Sequence, residues 1–554
     1  MPVKILCRMH QNGASPGAIA INGISMGWVK NLGDEKVRTT TMQLPQKIAA
    51  VAAAATAGLA ARDLTQKKHS ILRNYPVAGH LRYAMETIRP EIRQYFIEGD
   101  GEGRPFDRTT RSMIYQRAKG LGSATAFGTE SDMDKFGYET LAHSAFPLDH
   151  IDIPFRATIG SPDCKKPYDI SRYNISDMSF GALSANAVMA MNKGAALGGF
   201  AQSTGEGGLT QYHLRYGGDV IWQLGSGYFS ARTKDGHLDR GLFKERSQID
   251  NVKMITIKIS QGAKPGIGGE LPASKISAEI AEIRGVPRGQ DCISPASHKE
   301  FSTPTELIEF IAELRELSGG KPIGFKLCVG SHTDVLAICK AILAVGTGPD
   351  YIIVDGAEGG TGAAPVEFED RVGMRLTDGL MAVHNALVGT GLRDKIALGA
   401  SGKITGGNDI VRRMIQGADI TLAARPMMMA AGCIQARVCN TGKCPVGVAT
   451  QSQWRQRALD VDQKAIRVRN YHDATAKEAE NLMAAMGVDH PSKLAPHMLR
   501  KVISATETKT YLDLFTWLSD GELLEEPKGV WAEYWKQASA DNFEPSTRGT
   551  RARI

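Results

Sequence analysis

Short apolar runs recur along the chain from about residue 170, and all but the last end in Gly, Ser or Asp or are followed directly by one of these residues. Helical patterns separate several of the runs, as at 185–196, 334–344 and 407–416. Strands that alternate with helices predict right-handed βαβ units and a parallel sheet. The runs predict eight strands, at 175–180, 199–203, 220–225, 254–260, 323–329, 351–355, 396–400 and 420–423.

The number and spacing of these strands indicate the fold class. Eight repeats over about 250 residues favour an α/β fold of the (β/α)₈ TIM-barrel type over an open, doubly wound sheet. The gap of about sixty residues between the fourth and fifth runs is too long for one crossover. It predicts an insertion on the loop face, where barrel enzymes have their active sites.

The segments around the barrel predict the domain organisation. We expect an N-terminal extension, a helical cap region, the barrel, a loop with closing helices, and a C-terminal tail whose polar end is disordered. In order, these are assigned to residues 1–68, 69–165, 166–430, 431–500 and 501–554.

The N-terminal extension contains an apolar, Ala-rich run at 48–61. Its fourteen residues fall short of the ~20 that span a bilayer, so a helix within the protein is one interpretation. A weak membrane anchor is the other, because Lys47 precedes the run and Arg62 and Lys67 follow it. Met42 would be the start residue in that case.

Composition and charge narrow the class of protein. The 554 residues are 42% hydrophobic and 23% charged, which is the balance of a globular enzyme. The net charge is +7, and the basic residues are scattered among acidic ones along the chain. This distribution argues against a nucleic-acid-binding protein. Eight cysteines are too few for a disulfide scaffold of this length, and we expect a reducing, cytoplasmic location.

Three of the cysteines lie within twelve residues, in the pattern Cys433-x5-Cys439-x4-Cys444-Pro445. Thiolates that converge in this way bind iron or zinc. Three ligands favour a 3Fe–4S cluster, whereas zinc sites usually show Cys-x2-Cys pairs and a fourth ligand. Zinc and a chance grouping of buried cysteines remain alternatives.

Other candidate residues follow the predicted strands. Glycine-rich loops after the sixth and seventh strands, 356–362 and 401–403, predict a phosphate site. Lys258 and Lys264, on the loop after the fourth strand, could hold the two carboxylates of a dicarboxylate, or could be solvated surface lysines. Lys326 on the fifth strand could stabilise the N1 anion of a reduced flavin. Glu206 after the second strand could act as a general acid or base, or be an ordinary loop residue.

These motifs together resemble the FMN-binding synthase domain of the glutamate synthase family. The resemblance rests on five segments in one order, over roughly residues 140–490: 178–184, 203–208, 258–270, 359–362 and 444–451. The run 69–76 resembles stand-alone members of the family. In this family the barrel reduces 2-iminoglutarate, formed from 2-oxoglutarate and ammonia, with hydride from reduced FMN.

The resemblance implies a role for each matched residue. Lys258 and Lys264 would bind 2-oxoglutarate, with Glu270 beside them, and Glu206 would assist ammonia addition or proton transfer. The catalytic set would then be Glu206, Lys258 and Lys264. The residues expected to contact FMN are Ser179, Gly181, Gln223, Lys326, Gly360 and Gly402. Cys433, Cys439 and Cys444 would hold a 3Fe–4S cluster that delivers electrons from ferredoxin or a partner reductase.

Departures from the family pattern leave other functions open. Glu270 stands where the family usually has Gln, and Ile267 where it has an acid. A carboxylate next to a dicarboxylate would repel it, and an amine substrate would suit Glu270 better, as in N-methylglutamate synthase. The glutaminase module of the family is not recognisable, so ammonia would come from solution or a separate glutaminase subunit. A non-catalytic electron-transfer subunit is the third hypothesis.

Overall fold

The computed structural model describes residues 43–122 and 124–544. Two compact units make up the chain, residues 1–97 and 98–554. Met42 and the predicted disordered end of the tail, after residue 544, lie outside the described residues.

The described part of the first unit is helical. It contains the helices Leu44–Thr65, Ser70–Asn74 and Gly79–Ile92 and the π-helix Arg93–Ile97. Asp63 is buried and accepts hydrogen bonds from the Val77 amide (3.0 Å) and from His80 Nε2 (2.9 Å), which connects the first helix to the start of the third. The apolar run 48–61 is therefore part of a helix of 22 residues. This helix is long and apolar enough to cross a membrane, judged by length and composition alone. Signal sequences near an N-terminus meet the same two criteria.

The second unit contains a closed barrel of eight parallel strands. Each strand pairs with the next along the chain, and the eighth pairs with the first. The strands are Tyr173–Ile175, Gln202–Ser203, Val220–Leu224, Val252–Lys258, Ile323–Leu327, Tyr351–Asp355, Ala397–Ser401 and Ile420–Ala423. This topology confirms the predicted (β/α)₈ barrel.

Helices follow the strands around the outside of the barrel. After the first to the eighth strand, in order, they are Ala185–Gly198; Gln211–Leu214; Arg240–Ser247; Ala278–Arg284 and Pro304–Leu317; His332–Val345; Val366–Arg371 and Leu376–Gly389; Gly407–Ile415; and Arg425–Ala430. The predicted insertion lies between the fourth and fifth strands. It contains the paired strands Glu270–Leu271 and Cys292–Ile293.

The remaining elements flank the barrel. The long helix Val461–Ala485 packs closely on Ala185–Gly198, because a Cβ at Gly194 would lie 2.9 Å from Val468. The other helices are Arg108–Ala118, Gln453–Gln456, Tyr511–Leu514, Glu522–Glu525 and Gly529–Gln537. The strands Glu139–Leu141, Leu499–Ser504 and Glu507–Thr510 form an antiparallel sheet. The hairpin Arg156–Ile159 and Tyr168–Ser171 packs Ile159 and Ile170 against barrel residues such as Ile353.

The predicted bounds of the first strand are wrong. The sequence predicts a strand at 175–180, whereas the strand is Tyr173–Ile175 and the following residues form a loop. The polar side chains explain the difference, because Ser176 bonds to Ser401 across the barrel (3.0 Å) and Asp177 is paired with Lys326. This loop therefore lies at the carboxyl end of the barrel.

One buried carboxylate braces the opposite end of the barrel. Asp350, just before the sixth strand, is fully buried and accepts hydrogen bonds from Arg315 (3.1 Å), the Ile323 amide (2.7 Å) and Ser161 (2.6 Å). An Asp350→Ala variant leaves the Arg315 guanidinium buried without its partner. We expect a loss of about 3–5 kcal/mol in the free energy of unfolding, measured by urea denaturation.

The matched control for this prediction is Asp394→Ala, which removes an exposed carboxylate. Its free energy of unfolding should stay within about 0.5 kcal/mol of the wild type. Equal losses in the two variants would contradict the bracing role of Asp350.

Candidate active site at the barrel mouth

The carboxyl ends of the strands gather the predicted site residues at one end of the barrel, which is called the barrel mouth below. The strands and the loops that follow them supply these residues, in chain order Ser179, Gly181, Glu206, Gln223, Lys258, Lys264, Lys326, Gly360 and Gly402. Because the strands are parallel and closed into a barrel, their carboxyl ends meet at the same edge. The structure thus places residues that are up to about 220 positions apart at the same end of the barrel.

Glu206 lies among buried cations at the mouth. Lys258 Nζ is 2.9 Å from Glu206 Oε1, and Lys264 and Arg284 are close enough to act on its charge. Lys258, Lys264 and Arg284 are each at most 8% exposed. The two lysines are therefore not solvated surface residues. Arg284 was not identified from the sequence. Its guanidinium group lies over the Phe229 ring, 5.0 Å from the centre of the ring.

The charges of this group are set by burial and by one another. Burial alone would raise the pKa of Glu206, but Lys258, Arg284 and Lys264 together lower it below the ordinary value. Burial lowers the pKa of Lys264, against the opposing effect of Glu206. Glu206 is therefore a carboxylate at neutral pH, and the group carries more positive than negative charge. An anionic ligand fits this balance.

The loop that carries Lys264 approaches the neighbouring loops very closely. A Cβ at Gly269 would lie 1.9 Å from Glu206 Oε1, and a Cβ at Gly262 would lie 1.8 Å from the Gly356 carbonyl oxygen. Only glycine permits these contacts. Glu270 is exposed on the same loop, and its charge acts on Lys264.

A second ionic group lies deeper in the mouth. Lys326 Nζ is paired with Asp177 and lies 3.2 Å from Asp355 Oδ2. Burial would lower the pKa of Lys326, but the two carboxylates raise it well above its ordinary value. Asp355 also accepts a hydrogen bond from the Gly262 amide (2.8 Å). Neither aspartate was assigned a function from the sequence, because Asp177 lies inside the first predicted strand, 175–180, and Asp355 ends the sixth, 351–355.

A cationic corner lies where the seventh and eighth strands end. The pKa of Lys403 is lowered, mainly because the side chain is buried. The positive charges of the nearby Arg425 and Arg104 lower this pKa further. Arg425 is held by the Glu358 carbonyl (2.7 Å) and by the Phe106 ring, 5.0 Å from its guanidinium. Neighbouring cations repel one another unless an anion lies between them. This corner coincides with the phosphate site predicted from the glycine-rich loops.

The geometry of the residues at the barrel mouth fits an FMN molecule. The cationic corner suits the phosphate group, and Gly402, with φ of 143°, allows close approach of the backbone. Within the described residues, Gln261 Nε2 is buried without a hydrogen-bond partner, as a donor awaiting a ligand would be. Ser179, Gly181, Gln223, Lys326, Gly360 and Gly402 would hold the cofactor there. Lys326 would have to divide its charge between FMN and the two aspartates.

The three clustered cysteines line one cavity next to the barrel. Apart from Arg437, its other lining residues are apolar, among them Met428, Val446 and Val448. Burial raises the pKa of the Cys433 thiol to about 12, and the nearby Cys439 and Cys444 sulfurs act in the same direction. In the described parts of the chain, no three Cys, His, Asp or Glu side chains are arranged to hold a single metal ion.

The backbone of the cysteine loop is shaped by contacts to the sulfur and to the N-terminal cap. Gln435 and Arg437 both have φ of 57°, which is unusual for residues other than glycine. The Gln435 amide donates to Cys433 Sγ (3.4 Å), and the Gln435 side chain bonds to the Phe106 backbone at both ends (3.2 and 3.0 Å). Amide-to-sulfur hydrogen bonds and an apolar shell are features of iron–sulfur sites. The lining therefore has the chemistry of an iron–sulfur site, in which Cys433, Cys439 and Cys444 would hold the cluster.

The cysteine loop is bonded directly to the barrel mouth. The Gln451 side chain donates to the Gly181 and Leu183 carbonyls (3.0 and 2.8 Å), and Ser184 Oγ donates to Gly447 O (2.7 Å). Lys275 donates to Ala182 O (2.8 Å) and to Cys439 O (3.1 Å). The loop that carries the predicted flavin residues Ser179 and Gly181 thus lies between the barrel and the cysteines.

Known proteins with similar sequences span this whole arrangement. The family described as the conserved region in glutamate synthase matches residues 129–489. The glutamate synthase large subunit-like protein YerD of Bacillus subtilis is 37% identical over 78% of this chain and 89% of its own length.

Two further relatives match over smaller shares. An archaeal glutamate synthase [NADPH] of Methanocaldococcus jannaschii is 36% identical over 57% of this chain and 59% of its own length. A ferredoxin-dependent glutamate synthase of Cyanidium caldarium is 36% identical over 44% of this chain but 15% of its own length. The family match and the similarity to YerD along most of both sequences show that this chain belongs to the glutamate synthase family of oxidoreductases.

Proposed function

We propose that the protein is an FMN and iron–sulfur enzyme that reductively aminates 2-oxoglutarate, through 2-iminoglutarate, to glutamate. The observation that carries the proposal is the group of three buried cations, Lys258, Lys264 and Arg284, around Glu206 at the barrel mouth. A dicarboxylate is a ligand that such an excess of buried positive charge would bind. When bound, FMN supplies hydride and a 3Fe–4S cluster held by Cys433, Cys439 and Cys444 supplies single electrons.

The residues of the mouth account for substrate binding and proton movement. Lys258 and Lys264 bind the two carboxylates of 2-oxoglutarate and hold its keto carbon in a fixed orientation. Binding draws Lys258 away from Glu206, which raises the pKa of Glu206 because its closest cation is now shared. Glu206 can then accept a proton from the nitrogen as ammonia adds to the keto carbon, and return it to the hydroxyl group that leaves as water when the imine forms. In this scheme Glu206 begins as a base.

The names of the relatives support an inference about the electron donor. Two of them are named for NADPH and for ferredoxin. We infer that ferredoxin or a partner reductase supplies electrons here, and that ammonia comes from solution or from a separate glutaminase subunit. The rate of glutamate formation is measured with ferredoxin reduced by dithionite and, as the control, with dithionite alone. If ferredoxin does not increase this rate, it is not the electron donor.

The test of the function is a half-reaction under anaerobic conditions. FMN and iron are measured in the purified protein, the flavin is reduced by light, and its reoxidation is followed at its absorbance maximum. We expect stoichiometric FMN and reoxidation that requires both 2-oxoglutarate and ammonia. Stoichiometric FMN with no reoxidation by any keto acid and amine would instead support a non-catalytic electron-transfer subunit.

A second function is favoured by one observation. Glu270 and Glu369 both act electrostatically on Lys264, so acidic side chains face the predicted substrate lysine. A cationic amine would be attracted there, as in an amine-handling relative such as N-methylglutamate synthase. Reoxidation with methylamine but not with ammonia would decide for this function.

Glu270 provides a specific prediction about the keto acid. In Glu270→Gln one negative charge next to Lys264 is removed, which relieves repulsion of a dicarboxylate by about 1 kcal/mol. We expect the KM for 2-oxoglutarate to fall by roughly fivefold with kcat little changed. Steady-state kinetics measure both constants. Glu282→Gln, an exposed change on the same insertion, is the control, and a fall of KM in both variants would contradict the prediction.

The family and the first helix support an inference about the location of the protein. We infer a cytoplasmic enzyme with weak membrane association through Leu44–Thr65, a helix long and apolar enough for this role. Fractionation of a cell lysate tests the inference, and recovery of all the protein in the supernatant at low salt would reject the anchor.

A further inference from the structure

Lys275 is a buried cation that the proposed reaction does not use. It ends the short 3₁₀ turn Ala273–Lys275 in the insertion after the fourth barrel strand, and it is 3% exposed. Its ammonium group donates to two backbone carbonyls, Ala182 O at 2.8 Å and Cys439 O at 3.1 Å. These carbonyls belong to the loop after the first strand and to the cysteine loop.

The surroundings of Lys275 lack a compensating carboxylate. Within the described residues, no Asp or Glu oxygen lies within 4.0 Å of its nitrogen, and the nearby charged side chain Arg284 is also a cation. Burying an ammonium group without a counter-ion costs several kcal/mol. The anionic groups close to it are the sulfurs of Cys439 and Cys444 once they are thiolates. The position of Lys275 therefore indicates an anion held by these cysteines.

We propose that Lys275 is a positioning residue for the iron–sulfur cluster. The positive charge of Lys275 stabilises the cluster when it accepts an electron. The hydrogen bonds of Lys275 hold the cysteine loop against the barrel mouth. The proposal rests on the proposed function, because it requires a cluster at Cys433, Cys439 and Cys444. Accepting an electron adds negative charge to the cluster. A fixed positive charge nearby makes that step more favourable and so raises the reduction potential.

The same residue joins three functional segments. Lys264 and Lys275 lie on one insertion, Ala182 lies next to the predicted flavin residue Gly181, and Cys439 is a predicted cluster ligand. A single ammonium group thus fixes the substrate loop, the flavin loop and the cysteine loop with respect to one another. Such a connection would keep the distance between cluster and flavin constant while electrons pass.

The experiment compares Lys275→Met with Lys275→Arg in the full-length, anaerobically purified protein. The potential of the cluster is measured by a redox titration that follows its EPR signal. We expect the methionine variant to stabilise the reduced cluster about tenfold less, a fall of about 59 mV for one electron. The arginine variant, which keeps the charge, should remain close to the wild type.

The control is Lys321→Met, which removes another buried lysine bonded to backbone carbonyls, those of Ser247, Ile249 and Val252. It lies before the fifth strand, at the end of the barrel opposite the mouth. Its cluster potential should equal that of the wild type. If Lys275→Met does not fold, Lys275→Gln removes the charge but keeps a donor, and the same fall in potential is expected.

The outcomes separate this proposal from the proposed function. A cluster signal in the wild type with an unchanged potential in Lys275→Met or Lys275→Gln would overturn the role of Lys275 alone. An equal fall in Lys275→Met and Lys321→Met would also overturn it. A wild-type protein with no iron would overturn both proposals.

Discussion

Replacing Cys444 by alanine is expected to remove the proposed iron–sulfur cluster and abolish turnover with a one-electron donor, while FMN stays bound. Cys444 is the most buried of the three cysteines, at 6% exposed, and it lines the cavity that all three share. A three-iron cluster has no spare protein ligand, so the loss of one thiolate leaves an iron open to solvent. We expect the iron content to fall to roughly a tenth of the wild-type value or less.

Two measurements distinguish loss of the cluster from loss of the fold. In Cys444→Ala, light-reduced FMN should still be reoxidised by 2-oxoglutarate and ammonia, because that half-reaction uses only residues of the barrel mouth. Cys339→Ala is the matched control, since Cys339 is equally buried on the helix His332–Val345 and lies away from the cavity. It should keep its iron. Full iron content in Cys444→Ala would disprove the cluster assignment.

The sequence was informative where chemistry is local. The eight strands were predictable because each is a short apolar run bounded by turn residues, and seven of the runs overlap their strands closely. Cys433, Cys439 and Cys444 were predictable as a group because three thiols within twelve residues are a typical metal-ligand pattern, and in the structure they line one cavity. The bounds of the first strand are wrong because Met178 and Phe180 continue an apolar pattern, although the polar residues Ser176 and Asp177 already begin a loop.

Long-range pairs were outside the reach of such patterns. Asp177 and Lys326 are separated by 149 residues, and Lys275 and Cys439 by 164. No periodicity in the sequence connects these positions, since only the closure of the barrel brings them together. In the sequence, Lys326 is a single cation on the fifth strand, with no recognisable partner. The structure adds the two aspartates that share its charge, and any effect of Lys326 on a flavin must act against them.

Replacing Glu206 by glutamine is expected to lower kcat by roughly 10²–10⁴-fold, the usual contribution of a general base. In the free enzyme Lys258, Arg284 and Lys264 hold the pKa of Glu206 below its ordinary value, although burial opposes them. A group with a lowered pKa stays ionised as the pH falls, and it is lost as a base only below that pKa. Wild-type kcat/KM should therefore show no loss attributable to Glu206 between pH 6 and pH 8.

The variant also separates a chemical role from an electrostatic one. Glutamine leaves Lys258, Lys264 and Arg284 without a counter-ion, so a dicarboxylate should bind at least as tightly and KM should not rise. A fall in kcat with an unchanged or lower KM thus supports proton transfer by Glu206. Glu139→Gln is the control, because Glu139 is a partly buried carboxylate paired with Arg412 (2.6 Å) outside the mouth. If Glu206→Gln raised KM and left kcat intact, Glu206 would serve to position Lys258 and the proton would have to be carried by another group.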